Sequence, residues 1–336
     1  MASLLDSPFL IQPWFSPRIW GAQDLRAWYP ERGLEAEPIG EAWLTADAGI
    51  TSLPGAPSLS KLVQDHREEL LGPQAVFWKE HTFPLLVKLL FPRQKLSVQV
   101  HPDDAYAAAH GLGRGKTEMW HVLEAEPDAS LGVNLKPGVS LPQFAAACRA
   151  GQGAEALQWI QVRAGDTIYL PAGTIHAIGP GMVLAEIQQQ SDNTFRLDDY
   201  GRRDAQGQLR DLHLEQGFAV ARGHAGGGRL NNTPQASGLL AASAYFRVEK
   251  VALDSRQDWL PKPRRLHIFL NLEGAAVLSK TADSDPDATH VFEAPAPTPA
   301  AAQDFPLPRA HAVVLSAMAA GWRLSGSASV LDITLP

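Results

Sequence analysis

Residues 165–176 read Gly-Asp-Thr-Ile-Tyr-Leu-Pro-Ala-Gly-Thr-Ile-His, and this segment constrains the fold more than any other. Gly165 and Asp166 turn the chain into a strand. Pro171 has no N–H to offer a neighbouring strand, and Gly173 tolerates the positive φ of a reversal, so the chain doubles back at once. The returning strand then aims His176 inward. The segment therefore reads as a strand, a turn and a returning strand. Composition agrees where it bears on this. The 28 Gly and 26 Pro among 336 residues favour turns, while 45% hydrophobic and 19% charged residues suffice for a sizeable core.

The same reading extends along the chain. The first 57 residues mix aromatics with Gly and Pro and predict short strands and turns. Ser58 caps a helix over 58–71, with Leu59, Leu62, Val63, Leu70 and Leu71 on its apolar positions and Gly72-Pro73 as its stop. Residues 85–90 read as a buried strand. In 96–101 the side chains alternate, so Ser97, Gln99 and His101 share one face and Leu96, Val98 and Val100 the other. A polar, Gly-rich excursion follows over 102–115, with a helical turn at 104–109, before the strand at 118–123. Two short helices are expected within 141–157.

At this length two domains are expected. The Gly/Asn/Ser-rich stretch 222–238 is the natural linker, dividing a domain at 1–221 from a second β-domain at 239–336. The strands of that second domain are predicted at 246–253, 266–272, 275–279, 312–315 and 330–335. The low-complexity stretch 294–308 reads as an exposed loop.

Charge and cysteine usage narrow the function. A net charge of −7 counts against a nucleic-acid binder, although it leaves room for a local basic pocket. The only cysteine, Cys148, forbids an intrachain disulfide, so the expected compartment is the reducing cytoplasm. The apolar run 83–91 is too short to span a bilayer and carries Lys88, and the N-terminus lacks the features of a secretory peptide, so no membrane partner is expected. Cys148 reads as small packing in an Ala-rich helix, and Trp20, Trp43 and Trp120 as core.

The pattern G-x5-P-x-G-x2-H at 165–176 resembles the second signature of the cupin superfamily, small antiparallel barrels that hold a metal at their mouth. The Asn that follows in that signature is absent, since position 180 is Pro. The partner signature, H-x-H with a nearby Glu, is similar to Gln99-Val100-His101 with Glu118 delayed by an excursion of 16 residues. The resemblance sharpens over longer stretches. FPLLVKLLFPRQKLSVQVHPDDAYA, GKTEMWHVL and AGTIHAIGPGMVLAEIQQQSDNTFRLDDYGR, with RIWG and IGEAW near the start, are similar to type I phosphomannose isomerase in its short bacterial form. The resemblance covers residues 8–217 and fades after about 240. His121 departs from it, standing where a Tyr is common.

The resemblance implies a mainly β fold of two cupin-like jelly-roll barrels with a few short helices. It implies an aldose–ketose isomerase that interconverts mannose 6-phosphate and fructose 6-phosphate through a cis-enediol. The metal ligands fall on Gln99, His101, Glu118 and His176, a set suited to one Zn²⁺ per chain and open to other divalent ions. The active-site arginine falls on Arg196. The first domain would carry the metal and the second none. A small sugar phosphate is the expected partner, with the chain a monomer or weak homo-oligomer.

Isomerisation needs a base over C1 and C2 and charge stabilisation on the two oxygens. Glu186 is the candidate for the proton shuttle, with a structural ion pair as its alternative. Arg196 serves electrostatic catalysis, phosphate binding or a pair with Asp192, and Lys116 joins them as a catalytic and substrate-binding cation. Ser97, Lys88, Lys116 and Arg196 are the substrate-binding candidates. Lys88 reads equally as a snorkelling edge residue. Asp103 and Asp104 read as a solvated turn rather than as groups orienting His101. Two other functions stay open: a related cupin isomerase acting on another sugar or sugar phosphate, and a non-catalytic sugar-binding cupin.

Overall fold

Antiparallel pairing organises every named strand in the computed structural model, which describes residues 3–78, 80–203, 207–223, 226–231, 237–254, 258–281 and 304–336. The described chain is mainly β, and its contacts divide it into two units.

The first unit comprises Met1–Pro13, Asp47–Phe83 and Ala236–Pro336. Its sheet runs in the order Phe9–Ile11, Ala312–Leu315, His267–Lys280, Trp322–Thr334, Arg247–Leu253, Gly238–Ala242, with Phe305–Leu307 paired to His267–Lys280. Phe269, Leu278, Val313, Trp322, Leu324 and Val330 pack its core. The helix Leu59–Leu71 begins where Ser58 accepts a hydrogen bond from Lys61 N and buries the five apolar residues that its periodicity marks. Gly72, at φ +62°, ends it in a conformation that disfavours a Cβ.

The second unit comprises Trp14–Ala46 and Pro84–Gln235 and is built from two sheets. The five-stranded sheet has the order Phe195–Asp198, Val98–Val100, His176–Ile178, Ser130–Leu135, Leu157–Gln161. The seven-stranded sheet has the order Gly228–Asn231, Thr167–Leu170, Glu118–Ala125, Met182–Gln189, Leu85–Leu90, Leu34–Trp43, Trp14–Asp24. Leu131, Val133 and Ile178 from the first meet Trp120, Val122, Ile168 and Leu184 from the second in one apolar cluster, so the sheets face each other. On the other side of the five-stranded sheet, Val98, Val100, Ala177, Phe195 and Leu197 pack with Phe144 and Cys148 of the helix Leu141–Arg149. Period-two alternation therefore turns Gln99 and His176 to the opposite, inner face.

Three expectations about organisation meet a different arrangement. The division between units is not one cut at 222–238, because Met1–Pro13 and Asp47–Phe83 fall with the C-terminal unit. Within the expected linker, Gly228–Asn231 pairs with Thr167–Leu170 as an edge strand, since a Gly-rich segment still carries backbone donors and acceptors. Of the expected loop at 294–308, residues 294–303 lie outside the described residues, and Phe305–Leu307 is a strand.

Candidate metal centre and active site

The turn at 171–173 pins together the elements that carry the site. Gly173 has φ +85°, and a Cβ there would lie 2.9 Å from the Val220 carbonyl oxygen, so only glycine fits. Gly173 N donates to the carbonyl of His101 (2.9 Å), and Ala172 N donates to Thr117 Oγ1 (3.2 Å), one residue before Glu118. Thr167–Leu170 and His176–Ile178 do not pair as a hairpin; the turn carries the chain from the seven-stranded to the five-stranded sheet and so ties together the segments that bear His101, Glu118 and His176. Cross-strand register completes the row, because Gln99 is paired with both His176 and Arg196.

His101 Nδ1 donates to the Asn193 carbonyl (2.8 Å), and His176 Nδ1 donates to the Thr174 carbonyl (2.9 Å). Both Nε2 atoms therefore carry lone pairs, and they point at one carboxylate. His101 Nε2 lies 3.6 Å from Glu118 Oε2, and His176 Nε2 lies 3.5 Å from Glu118 Oε1. All three residues are buried, and their ligand atoms lie within 4.8 Å of one another. Burial, with the Lys116 charge beside it, pushes His101 down to about 3, and burial lowers His176 as well, so both imidazoles are neutral. Burial alone would raise Glu118, but the Lys116 ammonium at 3.1 Å outweighs it and holds the carboxylate below its ordinary range.

Two neutral imidazoles and an ionised carboxylate form a donor set suited to a divalent cation, zinc first. The buried His101 Nε2 has no hydrogen-bond partner, which is the state of a ligand atom rather than of a satisfied core histidine. The backbone carbonyls on both Nδ1 atoms supply the outer support that metal-binding histidines need. Gln99 donates its Nε2 to Ser97 Oγ (2.9 Å), which leaves its amide oxygen as the available donor.

A second group faces the first from the seven-stranded sheet. Register sets Trp43, Lys88, Glu186 and Trp120 side by side across four strands. Glu186 accepts from Trp120 Nε1 at Oε2 (2.9 Å), and its Oε1 lies 3.5 Å from Lys88 Nζ and 4.0 Å from Lys116 Nζ. Burial and the nearby Glu118 raise the Glu186 carboxyl above its ordinary pKa, against the pull of the two lysines. Lys116 also reaches Glu118 (3.1 Å), and these carboxylates, outweighing burial, raise it above the usual lysine value.

Of the nine residues singled out in the sequence, Ser97, Lys88, Gln99, Lys116, Glu118, His176, Glu186 and Arg196 line one cavity of about 340 Å³. His101 adjoins it through Glu118. Lys88 is buried among Glu41, Glu186 and Asp192, with its ammonium 4.5 Å from the Trp43 ring centroid, so it is not a snorkelling edge residue. Trp20 and Trp120 are core residues that also line the cavity, whereas Trp43 stacks on Lys88 instead of filling the core. Asp103 caps the helix Asp104–Ala109 and pairs with Arg222, so neither it nor Asp104 orients His101. Arg18, Glu41 and Arg210 also line the cavity and were not anticipated; Asp192, expected only as an alternative partner of Arg196, lines it too and lies 3.7 Å from Lys88. Arg18 and Glu41 lie within RIWG and IGEAW, but nothing local marks them as cavity residues.

The fold and the site define a protein of two facing antiparallel β-sheets whose inner faces carry a group of residues fit to hold a metal ion. The chain belongs to the type I phosphomannose isomerase family. The model of the catalytic domain of that family matches residues 9–149. The mannose-6-phosphate isomerase of Streptococcus mutans serotype c is 40% identical over 225 residues, covering 64% of this chain and 68% of that protein. The crystal structure of the mannose 6-phosphate isomerase from Bacillus subtilis matches with a TM-score of 0.78 over 97% of this chain and 99% of that one, at 24% identity. A zinc-bound mannose 6-phosphate isomerase matches with a TM-score of 0.73 over 98% of this chain and 99% of that one, at 15% identity. The two structural matches carry the shared fold past the region of sequence resemblance.

Proposed function

We propose that the chain interconverts mannose 6-phosphate and fructose 6-phosphate, with one zinc ion held by His101, Glu118, His176 and the amide oxygen of Gln99. The observation that carries this reading is the convergence of two deprotonated Nε2 atoms on Glu118 beside the buried Glu186–Lys116 pair. The ion, when bound, supplies Lewis acidity to the substrate oxygens.

The chain's own residues account for the proton movements. Glu186 takes the proton from C2 of the open-chain aldose and returns it to C1. The hydroxyl proton of O2 passes to O1 across the cis-enediol, so that the aldehyde oxygen ends as a hydroxyl and O2 as the ketone. The raised proton affinity of Glu186 suits a base that must keep the proton between the two transfers. Trp120 Nε1 fixes one of its oxygens, leaving the other to face the cavity with Lys116. Lys116 stays an ammonium and donates to the oxygen on which negative charge develops. Arg196 adds a permanent positive charge to the same cavity. A cytoplasmic setting is in keeping with the lone, buried Cys148.

A coupled assay for fructose 6-phosphate formed from mannose 6-phosphate tests the reading. Activity is expected to disappear on exhaustive chelation, return with Zn²⁺, and be lost in His176→Ala. Turnover that survives both chelation and His176→Ala would refute it.

A further inference from the structure

Resting on the isomerase reading above, we propose that Arg18, Arg196 and Arg210 form the subsite for the substrate's phosphate, and that Lys88 and Lys116 do not bind it. The two lysines are already committed. Lys116 lies 3.1 Å from Glu118 and 4.0 Å from Glu186. Lys88 lies 3.5 Å from Glu186 and 3.7 Å from both Glu41 and Asp192. Both lysines are at most 5% exposed. A phosphate dianion brought to either would lose its water and meet the same carboxylates, a cost their ammonium charge cannot offset.

The three guanidiniums stand differently. They line the same cavity at shallower positions, the side chains of Arg18 and Arg210 being 34% and 23% exposed. Their carboxylate partners are shared. Glu41 serves both Arg18 (2.8 Å) and Lys88, and Asp199 serves both Arg210 (3.3 Å) and Arg202. Arg196 donates to the backbone carbonyl of Asp211 (2.7 Å), and its buried Nε has no hydrogen-bond partner. Burial and the nearby Arg210 charge lower the proton affinity of Arg196, while burial, Arg202 and Arg18 do so at Arg210 against the pull of Asp199. The guanidinium charges thus lie close enough to act on one another, Arg210 on Arg196 and both Arg18 and Arg202 on Arg210.

An anion relieves that mutual repulsion, and a guanidinium fork matches the oxygens of a phosphomonoester. The substrate's own length agrees. Its reacting carbons are C1 and C2, and the phosphate on C6 sits at the far end of the chain. With C1 and C2 at the buried histidines, the phosphate reaches the shallower end, where it keeps part of its hydration.

Kinetics of Arg18→Met, Arg210→Met and the double variant test the subsite, with inorganic phosphate as a competitive probe. Each single variant should raise KM for mannose 6-phosphate about 10- to 100-fold, the range for a charged hydrogen bond lost, with kcat little changed. The inhibition constant of inorganic phosphate should rise in parallel, and Arg210→Lys should recover part of the affinity. Thermal melts with and without phosphate read binding independently of turnover, through the stabilisation a ligand confers on the native state. Unchanged KM and phosphate inhibition in the double variant would overturn the subsite, as would a loss of kcat with KM unaltered. A wild-type protein that phosphate stabilises, that loses this in the double variant, and that turns over no mannose 6-phosphate would refute the isomerase reading and support the subsite.

Discussion

Lys88→Met removes one ammonium from the middle of three carboxylates and keeps most of the side-chain volume. Each carboxylate answers differently. Asp192 is 59% exposed and is rehydrated at little cost. Glu41 keeps Arg18 at 2.8 Å and Trp43 Nε1 at 3.0 Å. Glu186, whose side chain is 5% exposed, keeps only the Trp120 N–H and a lysine 4.0 Å away. Stranding one member of a buried pair costs about 3–5 kcal/mol. Glu186 can escape that cost by taking up a proton, and from an ordinary carboxyl pKa this takes about 3.7 kcal/mol at pH 7 but only about 1 kcal/mol at pH 5. These figures are ceilings, lowered by what the raised pKa of Glu186 already costs the wild type, so the loss of stability should be about 1–3 kcal/mol at pH 7 and fall below about 1 kcal/mol at pH 5. The sign follows from the chemistry: a carboxyl pushed above its unfolded pKa is destabilising when ionised, so the penalty grows as pH rises. Urea denaturation of wild type and variant at the two pH values, followed by tryptophan fluorescence, reads the difference directly. The alkaline-going activation limb of kcat should move to higher pH in parallel, since the base now holds its proton more tightly. A stability loss below about 1 kcal/mol at pH 7, or one equal at both pH values, would refute the account of Lys88 as the counter-ion of Glu186.

Two further perturbations probe features away from that pair. In Gly115→Ala the new Cβ would lie 2.5 Å from the backbone of Asp103 and Asp104, which cannot yield as a side-chain tip would. Gly115 N is also bound to Asp104 and Lys116 N to the Pro102 carbonyl, so Lys116 must shift; a stability loss of about 1–3 kcal/mol with a fall in kcat is expected, and an unaltered melting temperature and kcat would contradict it. In the other unit, His267 faces an oxygen at each nitrogen, Asp332 Oδ1 at 2.7 Å and the Lys262 carbonyl at 3.0 Å, so both nitrogens donate and the ring is an imidazolium. Burial alone would lower its pKa, but the bond and charge of Asp332 raise it. That contribution is complete below the unfolded pKa near 6.5 and is lost as pH climbs through the raised folded value. The melting-temperature deficit of Asp332→Asn should accordingly be larger at pH 6 than at pH 9, and a deficit that widens with pH would exclude the pairing.

How far the site was legible depends on what each residue's neighbours say about it. His176 could be found because the P-x-G turn before it is a local backbone requirement, met by Gly173 at positive φ. Gln99 and His101 could be found because period-two alternation puts them on the face opposite Val98 and Val100, which pack under helices. Lys88 stood out as a charge inside an apolar run, and its three carboxylate partners explain why the run tolerates it. Arg18, Glu41 and Arg210 carried no such mark. Arg18 lies among ordinary strand residues of Trp14–Asp24, and only the pairing of that strand with Leu34–Trp43, and of the latter with Leu85–Leu90, brings it to the cavity.

Family resemblance supplied the antiparallel class and the ligand set, while the residues themselves determined the short strands, the turn that aims His176 inward and the face shared by Ser97, Gln99 and His101. The latter properties follow from hydrophobic period, turn chemistry and side-chain identity, all of which act over a few residues. The tertiary structure decided which strands lie together. It joined Asp47–Phe83 to the C-terminal unit, turned Gly228–Asn231 from linker into edge strand, and set Lys88, Glu186 and Trp120 in one row. Register and strand order come from burial of apolar faces between segments far apart in the chain. The stability of such contacts is shared among many residues, and no single stretch of sequence carries it.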